Sequence, residues 1–386
     1  MSFFKKTFPL FLSALFLLIS LSWSAPQPLD IAKLRVNRET LAQKYGFEYA
    51  FLLNYTQNLI LNSSQNEGKS RGLWYWNLEM SQRLWEGARL YTELEVDKNK
   101  GIDKFLPTFS WFNYNSTENF SPYIPVCYLT QNLFNERLFL AAGKTDLSNW
   151  FDGNVVAGSA DTQFSSAALV NNPVLPLPTK NMGVFVSFKP NELVNFQAGA
   201  ATGDYYPSKI GFSNAFRNQI FLGEFDFSPK WSGRQGNYRF IFCSDREKYD
   251  FINADGVRRN DYSFALSFDQ EITDRLTIFA RYGLGDPKVK DVETFWSAGG
   301  QITEPIPGRK YDCLGLGVAQ SLFGDDYLEA NGPDLARSEI MYELYYSLRV
   351  KEYFYITPNL QFVQHPLADK QEGEAAACGV RFLLTF

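Results

Sequence analysis

Hydrophobic side chains in this chain recur mostly at every second position, the period of an extended strand whose two faces meet different surroundings. The last residues show it most cleanly. Cys378, Val380, Phe382, Leu384 and Phe386 fall on one face, and Ala377, Gly379, Arg381 and Thr385 on the other. Between Ser338 and Val350 one face carries Ile340, Tyr342, Leu344, Tyr346 and Leu348, while the other carries Glu339, Glu343, Ser347 and Arg349. Leu90, Leu94 and Val96 likewise oppose Arg89, Glu93, Glu95 and Asp97, and Tyr262, Phe264, Leu266 and Phe268 oppose Ser263, Ser267 and Asp269. Antiparallel sheets in water share this period, so the pattern needs support from the rest of the chain.

Sixteen segments have strand character, each close to the length that crosses a bilayer at a barrel's tilt. They are 48–61, 72–83, 88–97, 126–134, 137–146, 181–189, 193–202, 217–228, 236–244, 260–270, 274–284, 292–302, 311–323, 338–350, 353–364 and 374–386. Their connections alternate in length. Short links at 84–87, 135–136, 190–192, 271–273 and 351–352 separate long ones at 98–125, 147–180, 203–216, 245–259 and 324–337. Outer-membrane barrels have this asymmetry, with short periplasmic turns and long outside loops. The links 229–235 and 303–310 are longer than such turns should be. The pattern predicts an all-β fold, a transmembrane antiparallel β-barrel of about sixteen strands. Aromatic clusters such as Trp74 with Trp76, Phe225 with Phe227, and Tyr353 to Tyr355 suit interfacial girdles, and equally suit ordinary sheet packing.

The N-terminus has a different pattern. Lys5 and Lys6 precede an apolar run from Phe8 to Leu21 and small residues at Ser22 and Ser24, which predicts a signal peptide over 1–24, with an uncleaved anchor as the alternative. Residues 25–46 follow as a short periplasmic helical segment at the barrel mouth, with Leu34, Leu41 and Tyr45 at near-helical spacing and Gly46 as a stop. Residues 47–386 then form one barrel domain.

Composition narrows the functional classes. With 35 Phe and 21 Tyr but no further long apolar run, helical membrane spans are excluded after the leader. A net charge of −5 with scattered basic residues offers no nucleic-acid surface. Cys127, Cys243, Cys313 and Cys378 lack the spacings of a zinc or redox motif; they read as small wall residues, with one disulfide as the alternative. His365 is the single histidine, so an enzyme built on histidine has one candidate at most.

The C-terminal third resembles the carbohydrate-selective porins of the OprB type. The likeness lies in Glu339-Ile340-Met341-Tyr342-Glu343-Leu344-Tyr345-Tyr346-Ser347-Leu348, in Ile356-Thr357-Pro358-Asn359-Leu360-Gln361-Phe362-Val363 and in Gly379-Val380-Arg381-Phe382. Gly143-Lys144-Thr145-Asp146, with Phe151-Asp152 after it, resembles the family's strand leading into a long loop. The resemblance implies a sixteen-stranded channel in the outer membrane of a Gram-negative bacterium. Sugars would diffuse through it passively, without cofactor. Membrane lipid is its surroundings, and a homotrimer stays open as its assembly.

By analogy with large porins, 147–180 is the loop expected to fold inward and narrow the pore, with Trp150, Phe151, Asp152, Asp161 and Phe164 as contacts for sugar; an ordinary surface loop is the alternative. Aromatic faces cover the apolar side of a pyranose while carboxylates replace water around its hydroxyls. Face parity places Glu79, Arg89, Glu93, Arg281, Glu339, Glu343, Arg349 and Arg381 toward the lumen. Both signs are present, which suits a neutral solute. The rival readings are a general-diffusion or ion-selective porin of the same architecture, an enzymatic barrel and a secreted lectin sandwich.

Overall fold

A computed structural model describes residues 31–118, 122–203 and 218–386. The expected signal peptide and most of the predicted 203–216 loop lie outside the described residues. The described residues divide into two units at Glu48 and Tyr49. In the first, helix α1 (Ile31–Tyr45) ends at Gly46, whose φ of +68° and N–H to the Ala42 carbonyl (3.1 Å) make a left-handed C-terminal cap.

Among the described residues the remaining chain forms one antiparallel sheet. Its strands are β1 (Phe47–Asn62), β2 (Ser70–Trp85), β3 (Ala88–Lys98), β4 (Cys127–Leu133), β5 (Leu138–Thr145), β6 (Asn181–Asn191), β7 (Val194–Thr202) and β8 (Gln219–Phe227). After the two-residue β9 (Lys230–Trp231) come β10 (Arg234–Phe251), β11 (Ala254–Glu271), β12 (Leu276–Leu284) and β13 (Val292–Thr303). β14 (Cys313–Phe323), β15 (Ser338–Lys351), β16 (Phe354–Gln364) and β17 (Glu374–Thr385) complete it. Neighbours in sequence pair, and β17 returns to β1 in a register that runs from Leu52↔Thr385 to Ile60↔Ala377. That last pairing closes the sheet into a barrel and leaves no long strand at an edge, a requirement for backbone polar groups inside a bilayer.

Sixteen long strands match the sixteen predicted segments, with β9 lying inside the link 229–235. The other overlong link, after β13, folds back on itself. The Glu304 N–H donates to the Asp312 carbonyl at 2.9 Å and Arg309 pairs with Asp312, while Arg275 of the neighbouring turn pairs with Glu304 at 3.0 Å. One expected loop is overturned: 245–259 is a continuation of β10 and β11, joined only by Ile252 and Asn253. Its many charges read as a solvated loop, yet they pair across the ladder. Arg258 meets Asp250 at 2.7 Å, and the Lys248 Nζ donates to Asn260 Oδ1 at 2.6 Å. The four cysteines are all unpaired.

The register is the one that face parity predicts. Ala375, Ala377, Arg381 and Leu383 of β17 and Glu339, Met341, Glu343, Tyr345 and Ser347 of β15 are buried inward, while Leu344, Leu316 and Leu360 stand exposed outward. Trp85, Phe134, Trp231 and Tyr311 are exposed at the short-turn end, where an aromatic girdle belongs. The hydrophobic core lies inside the cylinder, between the inner wall and the loops. Phe164, Leu169, Phe279, Phe295 and Tyr345 form one cluster; Leu147, Phe151, Phe185 and Ile241 form a second; Ile60, Ile102, Phe112, Met341 and Val363 form a third.

Leu360→Arg places a charge on the lipid face in the middle of β16. Stability in vesicles, read by urea titration, is expected to fall by about 2–4 kcal/mol. A change within about 0.5 kcal/mol, typical of a neutral surface site, would refute the outward assignment.

Candidate functional site

Two long loops fold into the barrel, and the inner wall is built to receive them. The loop after β5 starts where Asp146 accepts the Ser148 N–H at 3.0 Å, and its two ends are tied by the Leu147 N–H to the Pro178 carbonyl at 3.0 Å. Inward glycines make room for its large side chains. A Cβ on Gly199 would lie 2.9 Å from the Phe151 ring, and one on Gly317 would lie 2.9 Å from the Phe164 ring.

Arg281 and Asp152 form the first anchor. The guanidinium donates through Nε to Asp152 Oδ1 (3.1 Å) and through its two terminal nitrogens to the carbonyls of Leu169 (3.0 Å) and Asp152 (3.1 Å). Asp152 also accepts the Asn172 N–H at 2.7 Å, and its own N–H donates to Glu224 Oε2 at 2.9 Å. Burial pushes the Asp152 carboxyl up, against the downward pull of Arg281. Asp152 holds φ at +58°, an unusual conformation for a non-glycine residue that these contacts fix.

Glu343 and Arg381 form the second anchor. Glu343 accepts the N–H groups of Ser165 (2.7 Å) and Ser166 (2.8 Å), and Arg381 donates to the carbonyls of Ala160 (2.6 Å) and Gln163 (2.7 Å). The acid takes loop donors and the base takes loop acceptors, so backbone that no strand could pair is satisfied.

The loop between β3 and β4, absent from the expected site, is held the same way. Glu339 accepts the N–H groups of Phe109 (3.0 Å), Ser110 (2.7 Å) and Leu367 (2.8 Å), and the Gln361 amide donates to the Phe112 carbonyl at 2.8 Å. The two loops also join each other. Tyr114 N–H reaches the Ser165 carbonyl at 2.7 Å, and Ser166 Oγ donates to the Ser110 carbonyl at 2.9 Å. Within the first of them, Asp103 accepts the Phe112 N–H (2.7 Å) and the Asn113 amide (2.8 Å), while burial pushes its carboxyl up to about 7.

This placement corrects the expected pathway. Phe151, Asp152, Phe164, Arg281, Glu339, Glu343 and Arg381 are each at most 2% exposed, so they present no surface to a passing solute. They lie in the loop or beneath it because each satisfies, or packs on, backbone that has left the sheet. Glu79, Arg89, Glu93, Trp150, Asp161 and Arg349 keep partial exposure. Of these, Asp161 is tied to the wall by Asn54 (2.8 Å) and Tyr75, and Arg349 stacks over Tyr311 (4.2 Å) at the short-turn end.

The structure brings together Glu79, Arg89 and Glu93 on β2 and β3. Asn77 donates to Glu93 Oε1 at 2.7 Å, and Arg89 donates to Ser81 at 3.1 Å. Beside them runs a row of rings: the half-exposed Tyr91 and Tyr128 at 4.9 Å, Tyr128 and the half-exposed Trp150 at 5.5 Å, and Trp150 stacked on the buried Phe185 at 4.4 Å. Tyr91 and Tyr128 were not among the expected site residues. Parity could have found Tyr91, which shares a face with Arg89 and Glu93, and Tyr128 is its partner across the ladder.

A closed sixteen-stranded barrel, narrowed from within by loops and bearing a polar and aromatic inner wall, defines a porin of the bacterial outer membrane. Residues 123–386 match the family model described as "Carbohydrate-selective porin, OprB family", and the chain belongs to that family. The OprB of Pseudomonas putida, in its high-pH structure, superimposes with a TM-score of 0.77 at 18% identity, covering 92% of this chain and 97% of that one. The outer-membrane channel DcaP of Acinetobacter baumannii gives 0.57 at 13% identity, covering 88% and 97%. Among curated proteins, Porin AaxA of Chlamydia abortus is 23% identical over 60% of this chain and 50% of its own length. Porin B of Pseudomonas aeruginosa is 24% identical over 47% and 50%. The chain thus spans about half the length of the curated relatives it matches.

Two outcomes follow from the anchors. Arg281→Met strands the buried Asp152 carboxylate, a change of about 3–5 kcal/mol in the loop's attachment. Single-channel conductance should rise or become unstable, and unchanged, quiet openings would refute the anchoring role. Asp103 is held above its ordinary value near 3.8, so its contribution to docking is complete below that value and declines as pH rises through about 7. Open-channel noise should therefore grow from pH 5 to pH 8 in the natural protein and stay flat in Asp103→Asn; an identical pH response in both would refute the assignment.

Proposed function

We propose that this porin passes sugars by diffusion along the ring row of Tyr91, Tyr128 and Trp150, with Asn77, Glu79, Arg89 and Glu93 exchanging hydrogen bonds with the hydroxyls. The observation that carries this reading is the adjacency of half-exposed aromatic faces and polar groups on one wall. A pyranose has the matching two-sided chemistry, apolar C–H faces and a polar rim. Attraction must stay weak for the solute to leave. The path requires no catalytic step, cofactor or energy input. Export through residues 1–24, a periplasmic place for α1 and a homotrimeric assembly complete the proposed picture.

Block of ion current by millimolar glucose or a linear oligosaccharide tests it. Tyr91→Ala with Tyr128→Ala should weaken block about tenfold, on the order of 1.4 kcal/mol, with little change in open conductance. Absence of any sugar block in the natural protein would favour the general-diffusion reading.

A further inference from the structure

The outer wall carries a feature that transport does not use. On β8, β10, β11 and β12 the lipid-facing side chains are mostly large rings, Phe225, Phe240, Phe242 and Phe264 among them, and several exceed 40% exposure. The row through their middle is interrupted. Gly223 pairs with Ala198 on one side and with Phe242 on the other, and a Cβ on Gly223 would meet nothing within 4 Å. Phe196, Phe225 and Phe240 wall this hollow on its short-turn side, and its volume is about 560 Å³.

Toward the long-loop end the same face turns cationic. Phe221, two residues from Gly223 on the same strand face, has the Arg246 guanidinium over its ring at 5.6 Å. Lys248 follows Arg246 on the outward face of β10, both are exposed, and Lys248 donates to Asn260 of β11. The nearby carboxylate of Asp250 is engaged with Arg258 at 2.7 Å. An apolar hollow below a pair of cations, at the level where the barrel leaves the outer leaflet, has the polarity of an anionic lipid.

We propose that this face binds a lipid carrying several acyl chains and phosphate groups, with one chain in the hollow over Gly223 and a phosphate at Arg246 and Lys248. Arg and Lys donate to phosphate with charge-assisted hydrogen bonds, and the rings give an acyl chain a ribbed channel in place of a smooth wall. A second copy of this chain fits less well. Any contact between copies centred here, two-fold or head-to-tail, would bury the Arg246 and Lys248 cations with the nearby Asp250 already engaged by Arg258.

The test uses the full-length protein in detergent, with bisphosphorylated lipid A and its dephosphorylated form as probes. Native mass spectrometry should retain the bisphosphorylated lipid, and the unfolding temperature should rise with its concentration. Arg246→Glu with Lys248→Glu should weaken apparent affinity about tenfold or more, and Gly223→Trp should remove retention while gel migration before heating still reports a folded barrel. Should Gly223→Trp fail to fold, Ala198→Phe fills the same hollow from the neighbouring strand. Equal retention of both lipid forms, or unchanged affinity in the variants, would overturn the proposal. Efficient disulfide cross-linking of two chains through Ala198→Cys would overturn it in favour of a contact between copies.

Discussion

Backbone that leaves a sheet inside a membrane cylinder carries its N–H and C=O groups with it, and each must find a partner. That constraint organises the interior of this porin. Two inner-wall glutamates, Glu339 and Glu343, take loop N–H groups, and two inner-wall arginines, Arg281 and Arg381, take loop carbonyls. Fully buried ions are ordinarily costly, but each here meets multiple partners, and the Arg281–Asp152 contact joins opposite charges at 3.1 Å. The loops are therefore fixed parts of the channel, and the narrowing they impose is as definite as the wall.

The wall's own sequence makes the packing possible. Where a bulky loop ring must lie against a strand, the strand offers glycine, as at Gly199 beneath Phe151 and Gly317 beneath Phe164. Substitution at either would push the loop away from the strand by displacing an aromatic ring held on several sides. On β2, β3 and β4 the inner face keeps half-exposed polar residues and rings, Glu79, Arg89, Tyr91, Glu93 and Tyr128 among them. One cylinder thus has a packed side and a half-exposed side.

Much of this architecture was legible in the sequence. Alternation specified which residues of β15 and β17 face inward, because a one-residue slip would have put Glu339, Glu343 and Arg381 into lipid. The alternation of short and long links gave the direction of the strands. The destination of the inward charges was not legible, since a glutamate facing water and one facing a loop N–H have the same parity; only the folded loops separate Glu343 from Glu93. The β10–β11 extension was misread for a related reason. Asp250, Lys248 and Arg258 look like solvated loop residues until the ladder sets them opposite one another. The inward fold of the loop before β4 is not legible in the sequence, because its anchors, Glu339 and Gln361, lie more than two hundred residues away.

The contrast between the two glutamates also bears on how such a channel selects. A carboxylate locked to several backbone N–H groups has little capacity left to exchange partners, whereas Glu93 accepts from the Asn77 side-chain amide and remains partly open to water. Selectivity in a diffusion pore requires groups that can trade partners at small cost, because a site bound too firmly would retain what it should release. Burial divides the inner-wall charges: the deepest hold the loops in place, and the shallower ones, alongside Tyr91 and Tyr128, keep surface open within the cylinder. The proposed sugar path therefore lies along the half-exposed wall, where these residue types keep accessible surface.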